Sequence, residues 1–269
     1  MTEHRGVVLR TERLTPHMVR VVVGGDGLRD FATAGLTDHY VKLVFPVEGV
    51  TYPTPFTVAT CRELLPREHW PRLRTYTVRA WEPAARELTL DFVVHGDEGL
   101  AGPWAAAARP GDVIHLLGPG GGYAPSPEAD WHLLAGDESA LPAIAASLEA
   151  LPEGARAHVL VEVESAAEEQ KLDAPVVYLH REGAPYGRKL VEAVRGLHFP
   201  EGRVHAFVHG EAGFVKELRR FLRVERQIPL EQLSISGYWR LGVDDEGWRA
   251  VKKEWNRQVE VEESAALDG

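Results

Sequence analysis

Residues 74–79 read RTYTVR. Two arginines bracket a tyrosine and two threonines, and this β-branched, aromatic run suits a strand. Arg74 and Arg79 can each grip phosphate oxygens through planar, paired hydrogen bonds. Tyr76 can lie against a flat ring, and Thr77 can offer a hydroxyl to that ring's edge. Phosphate beside an aromatic heterocycle describes a nucleotide. An ordinary strand with cross-strand ion pairs and a half-exposed tyrosine is the plainer reading, and the hexapeptide by itself favours it.

Outward from this strand, the first half of the chain reads as β. Segments 17–25, 39–46, 74–82, 87–96 and 112–119 are rich in β-branched residues and bounded by Gly, Pro or Asp. Without long helices between them, they predict a small antiparallel barrel. Segment 47–72 interrupts the rhythm as a long connection carrying Pro53, Pro55, Pro66, Pro71 and Trp70. The Gly- and Pro-dense stretch GPGGGYAPSPEAD (118–130) marks a boundary. GPGGG could be a phosphate loop, but no Lys-Ser/Thr follows it, and an interdomain turn explains it better. Beyond it, strands at 131–136, 157–164, 175–180, 203–210 and 233–239 alternate with helices at 140–151, 166–171, 187–197, 214–227 and 247–258. That alternation predicts a parallel sheet covered on both faces. The expected organisation is β followed by α/β: an antiparallel barrel domain at 1–124 and a nucleotide-binding α/β domain at 125–269. The tail VEESAALDG is polar and is expected to fray. A cleft between the two domains is the default place for a ligand.

Composition narrows the classes. The 269 residues are 44% apolar, enough for a substantial core. A formal net charge of −10 argues against nucleic-acid binding as the main task. Cys61 is the only cysteine, which excludes an internal disulfide and a Cys-ligated iron–sulfur cluster. The N-terminus lacks the apolar core of a signal peptide, and no stretch is apolar for long enough to span a bilayer. A cytoplasmic protein is expected.

The segment after the next strand changes the balance for RTYTVR. DFVVHGDEGLAGPWAAAARPGD (91–112) ends a strand at His95-Gly96 and turns through small residues into a helix. Gly99, Ala101 and Gly102 permit close approach of a ligand to the backbone. Pro103 suits a first helical turn, whose free N–H groups favour an anion. A plainly capped helix and a structural histidine are the alternative. Taken together, R-x-Y-T-x-R and H-G-x-x-G-x-A-x-x-W resemble the flavin-binding signature of the siderophore-interacting proteins, within the ferredoxin-reductase-like superfamily. The matching residues are Arg74, Tyr76, Thr77, Arg79, His95, Gly96, Gly99, Ala101 and Trp104. Segments 133–152, 159–164, 208–222 and 234–248 also resemble family segments, so the likeness spans nearly the whole chain. Leu100 stands where the family pattern usually has proline.

The resemblance implies a flavin-binding barrel, an α/β nicotinamide domain, and FAD. It implies that Arg74 and Arg79 hold the pyrophosphate side, that Tyr76 stacks near the flavin and Thr77 touches it, that His95 and Gly96 line it, and that the loop from Gly99 to Gly102 closes on the phosphates. It also implies a reaction: electrons pass from NADH or NADPH through flavin to a ferric siderophore, and iron leaves as Fe(II). Hard oxygen donors hold Fe(II) far less tightly than Fe(III). A general reductase exchanging electrons with ferredoxin or free flavin, and a non-catalytic siderophore binder, remain as alternatives.

The nicotinamide half carries no G-x-G-x-x-G turn. Gly136 follows a strand and opens a helix, which is the right context, and Asp137 and Glu138 come next; helix capping explains both better than cofactor contact does. Glu162 or Glu164, ending the following strand, could accept from a ribose 2′-hydroxyl and favour NADH. An anionic ferric chelate would need a local positive patch. Lys42, Arg240 and Lys252 are the candidates. The basic helix carrying Lys216, Arg219, Arg220, Arg223 and Arg226 reads instead as a solvated face partnered by Glu217 and Glu225. Trp239 and Trp248 could stack on a cofactor or fill the core.

Overall fold

Alternating buried and exposed side chains build the first half of the molecule. In a computed structural model describing residues 1–97 and 99–267, β1 (Thr2–Thr15), β2 (Met18–Gly24), β3 (Tyr40–Phe45), β4 (Arg72–Glu82), β5 (Glu87–Val93) and β6 (Val113–Gly120) form a closed barrel. Its order is β1-β2-β5-β4-β3-β6, with antiparallel neighbours throughout. Val21, Val23, Val41, Leu43, Leu88, Leu90, Phe92 and Leu116 fill it. Burying each such side chain stabilises the fold by roughly 1.5–3 kcal/mol, and closure leaves no open sheet edge.

β1 is the strand that sequence reading passed over. Its second half, RTERLT, is mostly exposed, so apolar alternation fades there. The ladder to β2 carries it, with a register shift on the way. Segment 47–72 is not a bare connection either. Thr57 caps α1 (Val58–Leu64) by accepting from Thr60 N at 3.0 Å, and Glu3 Oε2 accepts from Val58 N at 3.0 Å. Val58 packs with Val44 and Leu73 on the outside of the barrel. α2 (Ala101–Ala107) is pressed onto the barrel core through Ala101 and Ala105, with Trp104 partly buried beside them.

The first unit ends at Gly122 and the second begins at Tyr123. The second contains five parallel strands: β7 (Trp131–Asp137), β8 (Ala157–Val163), β9 (Val177–His180), β10 (Val204–Glu211) and β11 (Leu233–Trp239), in the order β11-β10-β7-β8-β9. The central strand β7 is buried along its whole length, as a strand covered on both faces must be. α3 (Leu141–Ala150) shares one cluster with Leu134, Val159, Val161 and Phe207. α4 (Arg188–Gly196) and α5 (Ala212–Arg220) share another with Leu133, Ala135, Ala206 and Val208.

The tail does not fray at residue 261. α6 (Asp245–Leu267) continues through it because Glu263 accepts from Arg219 at 2.6 Å and Arg223 at 2.9 Å, and Lys216 pairs with Glu262 at 2.8 Å. The basic helix is therefore partnered by α6 rather than by Glu217, while Glu225 pairs with Arg195 of α4. No helix among the described residues is long and apolar enough to cross a membrane.

Candidate functional site

β4 lies between β3 and β5, and its pairing decides where RTYTVR points. Arg74 stands opposite Leu43 and Tyr76 opposite Val41. Directly opposed residues of antiparallel strands share a face, so Arg74 and Tyr76 lie on the face of the barrel core. Thr75 opposes Lys42 and Thr77 opposes Tyr40, which puts them on the other face. The pairing with β5 shifts between Val78 and Ala80, leaving Arg79 as the extra residue of a bulge. The signature is thus split: Arg74 and Tyr76 on one face, Thr77 and Arg79 off it, all within six residues of strand. Tyr76 packs against Phe92 at 4.3 Å between ring centroids, and Arg74 Nη1 donates to Leu73 O at 3.1 Å. Thr77 is buried.

His95 and Gly96 follow β5 in an exposed loop, with the His95 ring 6.3 Å from that of His17. Gly99 has φ +80° with open space where a Cβ would be, so it is required by the turn, not by crowding. Gly102 sits against Val93 O. Ala101 and Trp104 are both packed against the barrel core. The Ala101 methyl is buried in the barrel and has no surface to offer a cofactor. Trp104 packs between Phe45 at 6.0 Å and Phe92 at 5.6 Å, plugging the barrel. Core packing holds both side chains, and Trp104 keeps some exposed surface. Among the described residues, Leu100 at the N-cap of α2 makes no side-chain cap hydrogen bond.

In the second unit the carboxyl ends of the strands carry a dense polar cluster. Asp137 ends β7. Its Oδ1 accepts from Ser139 N at 2.9 Å and Ser139 Oγ at 2.5 Å; its Oδ2 accepts from Glu211 N and from Trp239 Nε1, both at 2.8 Å. Burial, then the neighbouring Glu138 charge, push its pKa up to about 6. Glu138 accepts from Arg181 at 3.0 Å, and Arg181 lies over Tyr186 at 3.9 Å. Glu211 caps α5 by accepting from Gly213 N at 2.6 Å and Phe214 N at 3.2 Å.

These bonds revise the nicotinamide-side expectations. All four lone-pair positions of Asp137 are taken by the protein, so its carboxylate is engaged within the fold. Glu138 is committed to Arg181. A Cβ at Gly136 would lie 2.5 Å from Ala140 Cβ and 2.6 Å from His209 O; that glycine lets β7, α3 and β10 approach one another, not a phosphate. Glu162 is fully buried and accepts from Gly187 N at 2.7 Å and Leu190 N at 3.2 Å at the start of α4, so it is withdrawn from any ribose. Arg181 and Tyr186, which join this cluster, were not singled out in the sequence. Their signal was the Gly/Pro-broken stretch HREGAPYGR (180–188), which follows a strand at the ligand-binding edge of a parallel sheet.

The cationic candidates are spread out. Lys42 shares its face with Thr75 and Leu117, away from Arg74 and Tyr76. Arg240 is exposed immediately after β11. Lys252 is half-buried on α6 and donates to Ser236 Oγ at 3.2 Å; burial lowers its pKa. Trp248 is a core residue, whereas Trp239 is half-buried at the strand end.

A closed antiparallel barrel followed by a parallel sheet is the architecture of ferredoxin-reductase-like FAD- and nicotinamide-binding proteins. Within that class, the profile of the siderophore-interacting FAD-binding domain matches residues 7–123, and that of the siderophore-interacting protein matches residues 129–242. The chain belongs to the siderophore-interacting protein family. A siderophore utilization protein of T. fusca has a solved structure that is 39% identical, with a TM-score of 0.78 over 91% of this chain and 95% of that one. Ferric vibriobactin reductase ViuB of Vibrio cholerae is 32% identical over 89% of this chain and 90% of its own. The NADPH-dependent ferric-chelate reductase of Escherichia coli is 31% identical over 86% of this chain and 91% of its own.

Proposed function

We propose that this protein is a ferric-siderophore reductase that binds FAD in its barrel unit and takes electrons from NADPH or NADH at its α/β unit. The observation that carries the reading is the pairing of Arg74 and Tyr76 on one face of a closed barrel, in a chain whose second unit is a parallel sheet and whose relatives are named for ferric-chelate reduction.

The residues present fit FAD. Arg74 and Arg79 supply fixed guanidinium forks for a pyrophosphate. Tyr76, braced by Phe92, supplies a ring for stacking. Thr77 supplies a hydroxyl, and the turn at His95–Gly96 and Gly99–Gly102 supplies backbone N–H groups. When bound, FAD accepts the electron pair of a hydride donor and passes electrons singly to iron. One nicotinamide then reduces two ferric chelates and releases one proton. Lys42 of the barrel unit, and Arg240 and Lys252 of the α/β unit, are the cationic side chains that would attract an anionic chelate. Of the two donors NADPH is favoured: Glu162, one of the two carboxylates that could have selected NADH, is occupied within the fold, and the Escherichia coli relative is named for NADPH.

Anaerobic stopped-flow tests this reading. The protein should be yellow, NADPH should bleach it faster than NADH, and ferric siderophore should restore the colour while an Fe(II) trap develops. A colourless protein that takes up no FAD overturns the cofactor assignment. Bleaching without Fe(II), or reduction by ferredoxin alone, overturns the reaction.

A further inference from the structure

Asp137, Glu211 and Trp239 are the last residues of β7, β10 and β11, three adjacent strands. The Asp137 side chain spans all three. It bonds the backbone N–H that ends β10 and the indole N–H that ends β11, while its other oxygen holds Ser139 in the turn before α3. The Trp239 ring then meets Tyr186 edge-on at 5.1 Å and 87°. Tyr186 follows β9, at the opposite margin of the sheet. It is stacked under Arg181, which returns to Glu138, the residue beside Asp137. A closed circuit of contacts therefore frames the carboxyl ends of the strands. Both aromatic rings in it are only half-buried and keep free surface.

We propose that Asp137 is a positioning residue, whose carboxylate sets the orientation in which the Trp239 indole receives the nicotinamide nucleotide and whose protonation loosens that hold. The inference rests on the reductase reading above, which places the nucleotide at this edge on the general behaviour of open parallel sheets. The indole is anchored by a charge-assisted bond, about twice as strong as one to a neutral acceptor. When Asp137 takes up a proton, the Ser139 hydroxyl can turn to receive it at Oδ1. Oδ2 is then a neutral carbonyl facing the indole. The groups around the carboxylate set when this happens. Glu138 adds a like charge but is turned to Arg181; Glu211 directs its own carboxylate to α5 and Leu241 N; Trp239 and Ser139 donate; no cation among the described residues pairs with Asp137. Its midpoint near pH 6 lies where a titration of the folded protein can follow it.

The test combines a structural and a kinetic readout on the full FAD-loaded chain. ¹⁵N-indole NMR between pH 8 and 5 should show one indole signal, identified by its loss in Trp239→Phe, moving with a midpoint near 6. In Asp137→Asn that signal should be displaced and no longer respond to pH. In stopped-flow, the dissociation constant for NADPH should rise on the order of tenfold below the midpoint. It should be raised already at pH 7.5 in Asp137→Asn and in Trp239→Phe, which keeps a ring but loses the N–H. FAD content and the oxidation of dithionite-reduced protein by ferric chelate should not change. Should Asp137→Asn fail to fold, Ser139→Ala serves: losing one donor should raise the NMR midpoint and the NADPH midpoint together. A flat indole signal, wild-type NADPH binding in Asp137→Asn, or midpoints that move apart would overturn the proposal. If neither nicotinamide bleaches the flavin at any pH, the reductase reading falls, and the NMR midpoint alone decides whether Asp137 controls the indole.

Discussion

Replacing His209 by phenylalanine should make the second unit markedly less sensitive to acid. His209 lies on β10, 4% exposed, with its ring stacked on Phe207 at 3.8 Å and 4° and its Nε2 2.9 Å from Ser234 Oγ. Its Nδ1 is buried without a hydrogen-bond partner among the described residues. Burial first, and then the nearby Lys252 charge, drive its pKa down to about 3, against the Ser234 contact. The folded state therefore refuses a proton that the unfolded chain accepts. For a depressed pKa the stabilisation is complete above the unfolded value of about 6.5 and is lost as pH falls towards 3. At pH 5 the unfolded chain gains about 2 kcal/mol by protonation, and the folded chain gains almost nothing. Whatever the substitution costs in packing, it costs equally at both pH values and cancels in the difference. Urea unfolding at pH 7 and pH 5, followed by hydrogen–deuterium exchange in peptides from β7 and β10, should show the wild type losing about 2 kcal/mol more than His209→Phe. Equal losses would refute the account, because they would mean that His209 titrates in the folded state much as it does in water.

Arg74→Ala should lower FAD retention on gel filtration more than Arg79→Ala, since only Arg74 shares the Tyr76 face; equal retention in all three proteins would remove the guanidinium grips from the cofactor assignment. Lys42→Ala and Arg240→Ala should raise the apparent KM for an anionic ferric chelate and spare a neutral one, with flavin loading unchanged; matching effects on both chelates would show that charge is not the cause. Glu263→Gln should loosen α6 and cost on the order of 2 kcal/mol, because two guanidinium bonds are weakened at once. Burial opposes ionisation of Glu263, but those bonds outweigh it and hold its pKa below the usual carboxylate range. That part of the stability should therefore persist at neutral pH and disappear as pH falls through the acid range, a dependence absent from the variant in thermal melts.

Local patterns carried most of the architecture. Apolar alternation marked five of the six barrel strands, and the buried run WHLLAG marked the central strand of the sheet, because a strand's faces are written directly into its side chains. β1 escaped because its exposed half follows no pattern, and ladder bonds to its neighbours hold it in place. The end of α6 escaped for a related reason: residues 261–267 look soluble and unstructured until Arg219 and Arg223 arrive from α5 and the turn after it.

The site divides along the same line. RTYTVR and the His95–Trp104 segment stood out because their chemistry is contiguous in the chain. Their allocation to faces did not, since one bulge at Arg79 and the register with β3 decide it. Gly136, Asp137, Glu138 and Glu162 looked like nucleotide ligands because residue type alone cannot say who fills a carboxylate's lone pairs or the space beside a glycine. In the folded chain those places are filled by Ser139, Glu211, Trp239, Arg181, the start of α4 and the Ala140 methyl. Sequence determined which strands and helices form, because propensity and periodicity act over a few residues. Only tertiary structure decided which polar groups remain for a ligand, because hydrogen bonds between residues up to 102 positions apart are made only when the strands lie side by side.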